Sequence, residues 1–164
     1  MIFGVIAAVL TGALCGACSG TFVAKMAIPP FIATLGMMLI LKGLSLVISG
    51  TRPIYFNDTP GFSEISRGSL IGDVIPSLPI PNGVLILFIV AAVTAYILNR
   101  TVLGRYCFAL GSNEESVRLS GVNTDRWKIA IYALAGAIVG IAGLLIASRL
   151  NSAQPALGLG YELE

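Results

Sequence analysis

The chain contains no histidine, and charged residues make up 11% of its 164 positions. Without histidine there is no Ser-His-Asp or Cys-His pair, no HExxH zinc site and no histidine proton relay. No lysine precedes a serine or threonine, so the Gly-Lys-Ser/Thr ending of a P-loop is missing and ATP cannot be cradled that way. The net charge of +2 is small and its cations are scattered, whereas a nucleic-acid partner calls for a dense basic stripe. No catalytic residue, cofactor, metal or nucleic acid is therefore expected. Soluble domains carry about a quarter of their residues as charges. This sequence has less than half that share, so lipid must cover much of its surface.

What is present is apolar, 56% of the chain. A bilayer core takes about 20 mostly apolar residues per helix, and the ranges 1–24, 31–49, 83–98 and 129–147 qualify. The first has no ionisable side chain and lacks the basic leader of a cleaved signal peptide, so it reads as a span. The second follows Pro29-Pro30 and carries Lys42; the third closes at Tyr96, Asn99 and Arg100; the fourth is entered through Trp127-Lys128 and left through Arg149. The expectation is an all-α, polytopic helical membrane protein with four transmembrane helices and a single membrane domain over 1–164.

Lysine and arginine set the orientation. Arg100, Arg105, Arg118, Arg126 and Lys128 in the 99–128 connection, with Lys25, face Arg52, Arg67 and Arg149 on the other side. Loop 99–128 is expected to be cytoplasmic and loop 51–82 external. Trp127, Tyr106 and Tyr132 would form an inner aromatic belt. The external loop is dense in Pro, Gly, Ser and Asp and reads as a folded segment with several turns.

Gly12, Gly16 and Gly20 recur every four residues in the first span, and Gly136 and Gly140 repeat that spacing in the fourth. Small residues at this period let helix backbones approach closely in lipid; such faces suit packing within a bundle or the lining of a transport path. The strings at Gly12 and Gly136 align glycine on glycine and Lys25 on Arg149, and the two spans run oppositely, as inverted repeats do. Lys42 lies about 16 Å from Phe31 and about 12 Å from Gly50 along its helix. A charge at that depth marks a pathway candidate or a lysine that snorkels. Cys15 and Cys18 form a C-x-x-C inside an apolar helix, where cysteine acts as a small hydrophobe.

In the cytoplasmic connection Ser112-Asn113-Glu114-Glu115 reads as a capping box, with Ser112 as N-cap and Glu115 at N3. Gly121 falls where a C′ glycine would stop a helix of about two turns. Glu114 and Arg118 are spaced to pair, and Asn123-Thr124-Asp125 is a second helix start. This short helix is either a lid on the chain's own bundle or a docking element.

The stretches "IPPFIATLGMMLILKGLSLVISGTRPIY", "LGRYCFALGSNEESVRLSGVNTDRWKIAIYALAG" and "LIASRLNSAQPALGLGYELE" resemble the permease subunit of the ribose-type branch of ABC importers. The resemblance covers nearly the whole chain but only the central part of that family's longer membrane domain, so these spans alone are not expected to form a working permease. It implies a coupling helix to a cytoplasmic ATP-binding subunit, comprising Gly111, Ser112, Asn113, Glu114, Glu115, Arg118, Leu119, Ser120 and Gly121. The family usually has Ala-Ala where this chain has Ser116-Val117. It further implies an extracytoplasmic sugar-binding protein, a second permease subunit in a homodimer, the bacterial inner membrane, and a monosaccharide solute, ribose foremost. Asn151 and Gln154 match a stretch close to that family's pathway. ATP hydrolysis would belong to the partner. Two rivals are a secondary transporter, which calls for intramembrane acids that the spans lack, and a non-transporting scaffold or degenerate permease fragment.

Overall fold

The computed structural model describes residues 2–56, 61–69, 80–155 and 157; Asp58 and most of the tail after Gln154 lie outside them. Four long helices carry the apolar segments: α1 (Ile2–Lys25), α2 (Pro30–Ser49), α4 (Asn82–Arg100) and α7 (Thr124–Leu150). Each is long and apolar enough to cross a membrane. Between them lie β1 (Ile54–Tyr55), α3 (Glu64–Arg67), α5 (Val102–Ser112) and α6 (Glu114–Leu119), with β2 (Ser152–Ala153) after α7. Pro30 starts α2 at a position where its missing N–H removes no bond. Left-handed Gly50 and Asn151 end α2 and α7.

Polar and apolar residues are distributed inside out relative to a soluble fold. Buried positions include Ser19, Ser66, Thr124, Ser148 and Ser152, whereas Phe3, Phe31, Val47 and Ile48 are each at least 75% exposed. Lipid tails are as apolar as leucine, so small residues gather at helix contacts and large ones face outward. Hydroxyls within the spans donate to carbonyls one turn back, as Thr11 does to Ala7 at 2.8 Å, Ser19 to Cys15 at 3.1 Å and Thr34 to Pro30 at 3.0 Å. No polar hydrogen is left to hydrocarbon at these positions.

The main tertiary contact joins α1 to α7. A Cβ on Gly12 would stand 3.0 Å from the Gly140 Cα and strike the Gly136 carbonyl; one on Gly16 would stand 3.0 Å from the Gly136 Cα; one on Gly20 would meet Ile129 and Tyr132. As the α1 number rises the α7 partner falls, so the helices run antiparallel with backbones touching. In the sequence alignment that sets Gly12 on Gly136, Ala27 falls on Asn151, and both have φ 51°. α2 touches α1 lightly, and no residue of α4 is buried.

Beyond α7 the chain folds into a clip. β1 pairs antiparallel with β2, Ile54 opposite Ala153 and Tyr55 opposite Ser152, and the Phe56 amide donates to the Asn151 carbonyl at 3.1 Å. The fully buried Ser148 hydroxyl donates to the Phe62 carbonyl at 2.7 Å and accepts from the Ser66 amide at 3.1 Å. The Phe56 and Phe62 rings lie 4.7 Å apart.

One sequence expectation changes here: the 99–128 connection contains an eleven-residue helix, α5, that its mixed pattern concealed. α7 begins at Thr124 with Asn123 as its cap, as the second helix start predicts, five residues before the apolar run. Tyr132 packs against Gly20, and Tyr106 and Trp127 stack, with centroids 4.5 Å apart.

Candidate functional site

At the end of the molecule that holds Lys25 and Lys128, α6 stands between two short turns. Its N-cap is Asn113, whose side-chain oxygen accepts from the Ser116 amide at 3.1 Å. This corrects the capping box: Ser112 belongs to the last turn of α5, and the cap falls one residue later because Asn113 alone takes the extended conformation a cap needs (φ −157°, ψ 98°). Glu114 and Glu115 fill the first turn and Arg118 the last, each complementing the helix dipole. Ser120 closes the helix, and Gly121, with φ +79° and its amide on the Arg118 carbonyl at 3.1 Å, turns the chain away. That backbone conformation suits glycine.

Glu114 pairs not with Arg118 but with Lys128 on α7, at 2.5 Å. Lys128 is 20% exposed against 47% for Glu114, and its position on α7 is fixed by the Asn123 cap, which accepts from the Arg126 amide at 3.1 Å. Val117 is half-buried, while Gly111, Ser112, Asn113, Glu114, Glu115, Arg118, Leu119, Ser120 and Gly121 are all exposed, Leu119 to 84%. α6 is therefore fastened along one side and presents the other.

A cleft of about 870 Å³ opens beside it, walled by the turn from Lys25 to Pro30 and by Glu114, Arg118, Asp125 and Lys128. A second, apolar cavity of about 920 Å³ runs between α1, α2 and α7, lined by Gly12, Gly16, Gly136, Gly140, Met37 and Tyr132 among others, with Phe56 and Phe62 at its clip end. The glycines thus both pack and line.

The pathway candidates are not brought together. Lys42 is half-buried on α2 and lines neither cavity. Asn151 caps α7. Gln154 is exposed, donates to the Ser152 hydroxyl at 3.3 Å and lines a separate pocket of about 280 Å³. Sequence reasoning missed Lys128 as the Glu114 partner and Ser148 as the clip's fastening. The first depends on the α5–α6 fold-back; the second is a lone hydroxyl in an apolar run, which carries little signal. Among the described residues no group of acidic, cysteine or histidine side chains could hold a metal.

Four apolar spans with small residues at their contacts, and a capped polar helix presented beyond them, define a multi-pass membrane protein. The chain belongs to the family described as branched-chain amino acid transport system / permease component, whose profile matches residues 1–164. It is thus a multi-pass inner-membrane protein of a transport-permease family. It is similar to the ribose import permease protein of Haemophilus influenzae, 43% identical over 167 residues that cover 99% of this chain and 50% of that one. It is also similar to the fructose import permease protein of Rhizobium meliloti, 36% identical over 93% of this chain and 42% of the relative. The L-arabinose transport system permease protein of Escherichia coli K12 is 38% identical over 88% and 42%. The chain spans about half the length of the curated relatives it matches. No solved structure matches it.

Proposed function

We propose that the chain forms the central membrane region of the permease subunit of an ATP-driven, binding-protein-dependent monosaccharide importer, with ribose as its solute. The observation that carries the reading is α6: a capped helix, fastened by the Glu114–Lys128 pair and Val117, whose other face is open to a partner. The names of the relatives, ribose, fructose and arabinose permeases, support a sugar as cargo. In this reading residues 99–128 face the cytoplasm and α6 couples the permease to a separate ATP-hydrolysing subunit. The 51–82 segment and clip face the sugar-binding protein, and two permease subunits form a homodimer. Partner closure driven by ATP would then switch the side on which the membrane path is open.

The test is made in the full-length protein. Glu115→Lys, which leaves the Glu114–Lys128 pair intact, places mismatched charge on the docking face, which can cost several kcal/mol. Ribose uptake and co-purification of the ATPase should be lost while membrane insertion persists. Persistence of both uptake and co-purification would reduce α6 to a lid.

A further inference from the structure

The chain bends sharply where α4 ends. Thr101 is extended (φ −108°, ψ 163°); its hydroxyl donates to the Ile97 carbonyl at 2.6 Å and accepts from the Gly104 amide at 3.5 Å. Gly104 is buried against the Leu98 carbonyl, where any Cβ would collide. α5 therefore folds back on the last turn of α4 instead of extending its axis. α4 has 19 residues, about 28 Å at 1.5 Å per residue, which uses up a hydrocarbon core of about 30 Å. With α4 spanning the membrane, α5 falls at its boundary, where Tyr106 stacks on Trp127 in the first turn of α7.

Leu103, Tyr106, Cys107 and Leu110 form its covered side. The opposite side shows Val102, Arg105 and Phe108 at three-residue steps, with Val102 44% and Phe108 64% exposed. One turn back on α4, Tyr96 and Arg100 are exposed at i,i+4. Residues 82–112 contain no Asp or Glu, and among the described residues neither arginine has an ion pair. An apolar–cation–apolar stripe at headgroup depth is the pattern of an interfacial helix. Planar guanidinium groups suit phosphate, and the stripe continues the apolar surface of α4, none of whose residues is fully buried.

We infer that the Arg100 end of α4 and the exposed stripe of α5 seat an anionic phospholipid. Arg100 and Arg105 take its phosphate, and Val102 and Phe108 lie against its upper acyl chain. The inference rests on α4 being a span. It requires neither an orientation nor a transported sugar, so a failed uptake experiment leaves it standing.

The test is a lipid titration of the delipidated full-length protein in mild detergent, followed by native mass spectrometry, with phosphatidylglycerol and phosphatidylcholine of identical chains. Phosphatidylglycerol should bind more tightly. Arg100→Gln and Arg105→Gln should each weaken it about fivefold and leave phosphatidylcholine unchanged, while Arg105→Lys retains the preference. Phe108→Ser should weaken both lipids alike, and inorganic phosphate should not displace the bound lipid. Equal affinity of the unaltered protein for both lipids would overturn the inference, as would an undiminished preference in the double arginine variant or displacement by phosphate. Loss of a co-purifying protein with lipid binding intact would also overturn it, and would assign the stripe to a protein partner.

Discussion

A single methyl group at Gly136 should loosen the α1–α7 pair. A Cβ there would stand 2.9 Å from the Gly16 Cα and 3.0 Å from its nitrogen, and would strike the Gly12 carbonyl. Carbon atoms rest at about 3.5–4.0 Å, so Gly136→Ala must push the helices apart by about 1 Å along a strip where backbone meets backbone. No flexible side chain is available to yield. Overpacking of this kind costs about 1–3 kcal/mol, set against about 1 kcal/mol by which alanine favours helix over glycine. The control is Gly143→Ala, on the same helix, where a Cβ meets nothing within 4 Å; there only the helical gain of up to about 1 kcal/mol remains. The two variants should therefore shift stability in opposite directions. Reversible unfolding of the full-length protein in mixed micelles, titrated with dodecyl sulfate and followed by circular dichroism, reads both. Stabilisation by Gly136→Ala of the size given by Gly143→Ala would refute the close-contact argument.

Three further outcomes are expected. Asn113→Ala removes the α6 cap and should cost about 1 kcal/mol of local order, seen as faster amide exchange at Ser116; unchanged exchange would mean the cap does not hold the helix. Ser148→Ala leaves the Ser66 amide without its acceptor, a loss of about 1–3 kcal/mol, so residues 61–67 should exchange faster while the middle of α7 does not. In a background lacking Cys15, Cys18 and Cys107, cysteine placed at Asn123 should react with impermeant thiol reagents only once the inner face is opened, and cysteine at Arg52 from outside. Labelling of both from one side would remove the four-span topology.

The spans were legible because lipid imposes a length and a composition on each helix, and the glycine period because only small side chains let backbones touch there. The ends were less so. Glu114 has Arg118 four residues on, yet it meets Lys128, fourteen residues away, and that choice depends on how α5 folds back, a tertiary fact. The capping box failed at Ser112 for a similar reason: Ser112 and Asn113 are both good caps, and the choice falls to whichever lies where α5 terminates. The clip was hidden because its two-residue strands are far apart in sequence and lack the alternation that marks a longer strand. The Gly104 contact is set by the Thr101 bend, which no periodicity encodes.

α7 connects these features mechanically. Its backbone contact with α1 at Gly136 and Gly140 lies midway between Lys128, which holds α6, and Ser148, which holds the clip, with arms of about 15 Å on either side. The seam does not stop there: Gly20 meets Ile129, one residue from Lys128, so a push on α6 is carried into α1 and α7 together rather than into α7 alone. Widening the seam by a methyl group at Gly136 would then loosen the link between α6 and the clip, a change that spin labels paired across α1 and α7 would register.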